Sequence, residues 1–206
     1  MRALGWALLV LSLWGGWNWY HHERWVGHPP GRAVADAPVI EVGATREPWR
    51  DDKGFSYASL GRFAGRAMVL ARRNYDIGEF AALAPTDLAL GWGELSDPTV
   101  VDQLAFAQMK SFSARFVAPD LRRGSALAQR SRPELDALFS ALTHGHTIPG
   151  DATIRRTLAG IRPGQVIRFE ATLVDAKGPS GLSYRSSLAL GDRNCEVAWI
   201  DRLELE

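Results

Sequence analysis

The last third of the chain carries the clearest hydrophobic pattern. Between Val166 and Asp175 the residues alternate. Ile167, Phe169, Ala171 and Leu173 share one parity, and Arg168, Glu170 and Thr172 share the other. Successive side chains of an extended chain point to opposite faces, so this pattern predicts a strand over 165–175 with one buried face. Ile167, Phe169 and Leu173 are expected inside. Pro163-Gly164 before it is a turn, and "AKGPSG" after it is a hairpin loop. Two further antiparallel strands are expected to pair back, over 182–189 and 195–204.

Upstream the period becomes helical. Ser131 and Glu134 form an S-x-x-E capping box, and Leu135, Leu138, Phe139 and Leu142 follow at helical spacing. They predict a helix over about 133–142. A second helix, over about 152–160, is capped by Asp151 and buries Ile154, Leu158 and Ile161. Asp97-Pro98 opens a short helix running through Leu104. "AFAQMKSFSARFVA", 105–118, reads as one strand, with Phe106, Phe112, Ala114 and Phe116 on one parity. Ala67–Ala71 reads as a strand, with Phe55, Tyr57 and Leu60 beginning another before it. A helix over 59–73 competes, and apolar spacing does not decide between them. The fold class is α+β: a mixed domain with an antiparallel sheet and short helices. The turn leading into a long strand at 163–175 suits an OB-like barrel by fold-level analogy.

The N-terminus follows neither period. Residues 3–20, "ALGWALLVLSLWGGWNWY", contain no charge, and Trp14, Trp17, Trp19, Tyr20 and Trp25 gather at the far end. Eighteen helical residues reach about 27 Å, close to the ~30 Å hydrocarbon core, and such rings prefer the headgroup layer. A transmembrane anchor over 1–26 is expected, in preference to a cleaved signal peptide. The small-x-small spacing of "AVADA", 33–37, lies too far downstream for cleavage. The signal-like layout places the body on the exported side: a single-pass protein of the bacterial inner membrane with a periplasmic or extracytoplasmic domain. Residues 27–50 hold four prolines and no amphipathic period. They read as a linker that keeps the globular body, 51–206, off the bilayer.

Composition narrows the function classes. The formal charge is +1, so no whole-chain field draws nucleic acid. Of the 24 basic residues all but Lys53, Lys110 and Lys177 are arginine, in keeping with a GC-rich bacterial genome. Cys195 is the single cysteine, which excludes an intramolecular disulfide and a four-cysteine metal site. No Walker, H-E-x-x-H or G-x-S-x-G motif is present, and no cofactor is implied.

The candidate chemistry centres on "LTHGHTIPGD", 142–151. His144 and His146 would share a face of an extended chain. As metal ligands they need a third group, and Asp151 and Cys195 are the candidates. A nucleophilic Cys195–His146 pair is a second possibility. The simplest reading makes the stretch a join between two helices, with His146 buried and bonded to backbone or to a neighbouring side chain and His144 more exposed. "GWG" around Trp92 lacks a nucleotide fingerprint, and its glycines let the ring pack on backbone or line a binding surface. Arg122 and Arg123, with Arg130 and Arg132, form a basic patch suited to anionic headgroups or a partner's acidic surface.

Three segments occur in an order that resembles a group of bacterial proteins with one membrane segment, a globular body and no assigned activity. They are "LAPTDLALGWGELSD", "HTIPGDATIRRTLAGIRPGQVIRFEATLVDA" and "YRSSLALGDRNCEVAWI". The resemblance covers roughly 55–200. It implies a histidine just before the Ile-Pro pair, matched by His146, and leaves His144 particular to this chain. Two functional classes follow. One is a membrane-anchored, non-enzymatic binding or assembly domain of the cell envelope with a protein partner. The other is an envelope hydrolase or metal-dependent enzyme centred on His146.

Overall fold

The computed structural model describes residues 2–18, 24–110, 115–191 and 195–206. Its framework is a ring of five strands: β3 (Ser56–Asn74), β4 (Thr86–Gly91), β7 (Leu142–Pro149), β8 (Val166–Lys177) and β10 (Cys195–Leu205). Pairing runs β3–β4–β7–β10–β8 and returns to β3. Every pair is antiparallel except β7–β10. The sheet is therefore mixed rather than purely antiparallel. A parallel pair needs a crossover, and α5 (Ala152–Gly160) together with β8 supplies it. Closure leaves none of the five strands with an unpaired edge along its whole length.

β3 settles the ambiguity at 55–74 in favour of one 19-residue strand. It pairs with β8 over most of its length and shifts register between Ser59 and Gly61 and again between Val69 and Ala71. These irregularities bend it, so that one strand serves two neighbours. Gly61 is required by a close approach: a Cβ there would lie 2.5 Å from the Glu41 carbonyl of β1 (Val39–Val42).

Alternate residues of the ring converge on one core, including Phe63, Val69, Leu88, Leu90, Phe169, Leu173 and Ile200, with Ile154 and Leu158 of α5. The expected inward set of β8 is confirmed: Ile167, Phe169 and Leu173 are all buried. Two other clusters cover the outer face, one around Met68, Leu70, Trp92 and Leu142, the other around Phe55, Tyr57, Ile148 and Val197.

Helix ends follow their caps. Asp151 accepts from the Ile154 amide at 2.7 Å, and Ser131 and Glu134 make the expected box at α4 (Arg132–Phe139). Four expectations change. The helix at 133–142 stops at Phe139, and Leu142 begins β7. The short helix after Asp97 is α3 (Pro98–Val101), because Leu104 starts β5 (Leu104–Lys110). The single strand at 105–118 is two, β5 and β6 (Arg115–Leu121), paired antiparallel with each other. Phe112 and Ala114 lie outside the described residues. Last, 182–189 holds only the two-residue β9 (Ser183–Tyr184). Beyond it the chain is held by side chains: Ser186 Oγ accepts from the Val197 amide at 3.0 Å, and Asp175 accepts from the Ser186 amide at 3.1 Å.

At the N-terminus, α1 (Arg2–Asn18) has 17 residues and exposes Trp6, Leu8, Leu9, Val10, Leu11, Leu13, Trp14 and Trp17. Its length is about 25 Å. Among the described residues no helix is long and apolar enough to cross a membrane. Residues 27–50 do not hang free. Val39–Val42 pair with β3, Trp49–Arg50 (β2) pair with Ser56–Tyr57, and Val34 is bonded through Ser96. α2 (Glu79–Leu83) completes the element list.

Candidate active site

β7 is the stretch "LTHGHTIP", and all eight of its residues are buried. It is a central strand, not a join between helices. Its neighbours fix what meets His146. Asp87 of β4 is its register partner on one side and Val197 of β10 on the other. Register partners share a face, as do residues two apart on one strand. Asp87, His144, His146, Cys195 and Val197 therefore project to the same side of the sheet. Cys195 pairs with His144, one step diagonal from His146.

The side chains complete the arrangement. His146 Nδ1 lies 2.8 Å from Asp87 Oδ1, with the ring 8% and the aspartate 6% exposed. Cys195, half-buried, lies on the same side of the sheet, one diagonal step from this ring. Phe80 of α2 closes over the imidazole edge-on, with centroids 4.9 Å apart. Burial is the largest single influence and disfavours the charged ring, but the hydrogen bond to Asp87, the neighbouring Cys195 and the charge of Asp87 together outweigh it, and the imidazole is pushed up to about 9. The second carboxylate oxygen, Asp87 Oδ2, is buried without a hydrogen-bond partner. A carboxylate so placed favours a cation beside it.

The opposite face of the same strands is also polar. Glu196 is fully buried and accepts from the Thr143 hydroxyl, while its Oε1 has no partner. Burial pushes its carboxyl up to about 7, against the lowering effect of Thr143. Thr147 donates to the Thr86 carbonyl at 2.5 Å.

The other expected residues fall elsewhere. His144 is more buried than His146, at 3% exposure, against the expectation that it would be the more exposed of the two. It stands opposite Ala89, with no acid at that position of β4. Asp151 is engaged as the α5 cap. Among the described residues no group of three or more His, Cys, Asp or Glu is arranged to hold a metal ion. Trp92 is buried with Leu70, Leu95 and Leu142, and Gly91 packs against Leu70 and the Leu95 carbonyl. Arg122 Nε donates to the Leu104 carbonyl at 3.0 Å, tying β6 back to β5, and Arg123 is exposed. Arg130 pairs with Glu94 and Arg132 with Asp136.

The residue that sequence reasoning missed is Asp87. Its signal lies in "TDLALG": Leu88 and Leu90 alternate with Asp87 and Ala89, leaving an acid on a strand buried on both faces. A buried acid needs a partner, and His146 is that partner. Cys195, His146 and Asp87 thus lie on one face of three neighbouring strands, with His146 hydrogen-bonded to Asp87. Comparison of the chain with family models, curated proteins and solved structures finds no match.

Proposed function

We propose that the chain is a membrane-anchored envelope protein whose body performs thiol-dependent hydrolysis or transfer of an acyl group. The carrying observation is the Asp87–His146 pair set beside Cys195. Attack requires the sulfur without its proton, and the charged His146 ring that Asp87 favours is the neighbour that stabilises it there. The sulfur attacks the carbonyl carbon of an ester or thioester, forming a C–S bond and a tetrahedral oxyanion. Collapse breaks the bond to the leaving group, which takes the proton from His146. Water then attacks the acyl-cysteine, His146 accepts the water proton, and the thiol is restored. Asp87 holds Nδ1 and fixes the ring orientation, as the carboxylate of a triad does.

The setting follows from the fold by analogy. A five-strand ring with a helix between its third and fourth strands and a parallel third–fifth pair is an OB-like arrangement. The exposed apolar side chains of α1 support a membrane anchor, and the export-like N-terminus supports a periplasmic body. A second reading, a non-enzymatic assembly domain for an envelope protein, draws on the outer wall of Trp49, Tyr57 and Trp199. There Arg46 lies over the Trp49 ring at 4.5 Å.

The test uses the full chain in detergent micelles with p-nitrophenyl acetate. An acetyl adduct on Cys195 by intact mass, and turnover lost in Cys195→Ser and His146→Gln, supports the hydrolase. Turnover unchanged in Cys195→Ser refutes it. Absence of any adduct in a folded wild type leaves the assembly reading standing.

A further inference from the structure

The segment expected to hold the body away from the bilayer is bound to the body instead. The Val26 amide donates to the Pro163 carbonyl at 2.8 Å, and His28 Nε2 donates to the Gly164 carbonyl at 2.5 Å. Gly164, at φ +88, packs so closely on the Val26 backbone and the Trp25 ring that a Cβ has no room. Farther on, Val34 and Ser96 bond through both backbone and side chain. Only seven residue steps of chain separate Asn18, the end of α1, from Trp25. Seven residues reach at most about 25 Å.

We infer that the end of the barrel formed by the Pro163–Gly164 turn and Trp25 lies against the headgroup layer of the bilayer that α1 enters. The inference rests on the anchor reading. Chain length limits how far this end can move from the membrane, whereas β8 carries Lys177 to its other end, about 36 Å from Val166 at ~3.3 Å per residue. The chemistry of the near end fits a lipid surface. Trp25 is half-buried there, and Leu205 is exposed. Glu206 bonds to the Val166 carbonyl and is shared by two cations, Arg66 and Arg168. Arg162 precedes the turn in sequence, and Arg24 precedes Trp25. Arg24, Arg66, Arg162 and Arg168 outnumber the two acids of this end, Glu204 and Glu206, which suits anionic phosphate, and the tryptophan suits the interface.

The experiment places the full chain, with Cys195→Ser, in nanodiscs of phosphatidylglycerol and phosphatidylcholine that carry a headgroup nitroxide lipid. A bimane label is attached at Gly160→Cys, where a Cβ meets nothing within 4 Å, or at the exposed Lys177→Cys. Several-fold stronger quenching at 160 than at 177 supports the assignment. Equal quenching at both, in a chain that resists alkaline carbonate extraction, overturns the docked face alone. Release by carbonate overturns the anchor and the face with it. Protection of 160 without quenching, together with a cross-linked dimer, overturns the lipid surface in favour of a second copy.

Discussion

Asp87 and His146 face each other across β4 and β7, with carboxylate and imidazole 2.8 Å apart and both nearly excluded from water. Removing the ring leaves an uncompensated carboxylate in the interior. His146→Ala should therefore destabilise the protein by about 3–5 kcal/mol. Asp87→Asn keeps the shape and loses the charge, and should cost about 1–3 kcal/mol. His144→Ala empties buried volume and should cost about 2 kcal/mol or more. Denaturant unfolding at neutral pH measures all three. A His146→Ala loss below about 1 kcal/mol contradicts the buried pair.

Stability should fall as pH rises, through two groups of the same strands. The His146 ring has a folded value near 9 against an ordinary 6.5. Its contribution is complete below 6.5 and is lost as pH climbs through 9. Glu196 is buried, and its folded value is near 7 against an ordinary 4.5. Its neutral form is the favoured one, so that contribution is complete below 4.5 and is lost as pH rises through 7. Melting temperature should decline steadily from pH 5 to pH 9.5. Glu196→Gln should flatten the part around neutrality and His146→Gln the part above it. A melting temperature that rises over this range would count against both assignments.

The sequence reading succeeded where one face is wet and failed where neither is. β8 alternates because its outer positions, Arg168 and Glu170, reach solvent, and its inward set was legible. Caps at Asp151 and Ser131 were legible because they are local hydrogen-bond patterns. β7 was not, because Thr143, Gly145 and Thr147 face one way and the histidines the other, with both faces covered. No apolar alternation survives when the polar groups are satisfied by distant strands. Residue types alone make Cys195 and His146 a conceivable pair, but the parallel β7–β10 register that brings them to one face depends on ring closure, which no local pattern encodes. Asp87 needed that register too.

The docking of the N-terminal segment gives a separate prediction. Gly164→Ala puts a Cβ into the Val26 backbone and imposes a strained φ. Residues 24–28 should detach while the ring stays folded. Limited proteolysis should then cut near Arg24 in the variant and not in the wild type, with little change in circular dichroism. Equal resistance in both would show that the turn does not hold the segment.

The central claim is that Asp87, His146 and Cys195 act as one thiol unit, and the rate of Cys195 carboxymethylation tests it most directly. Iodoacetamide labelling of the full chain is followed by intact mass from pH 5 to pH 9 in the wild type, His146→Gln and Asp87→Asn. A Cys195 sulfur activated by the charged His146 ring is labelled faster than a simple thiol at the same pH. That excess should vanish in His146→Gln and shrink in Asp87→Asn. A wild-type profile that follows an ordinary thiol and is unchanged in both variants would contradict the account.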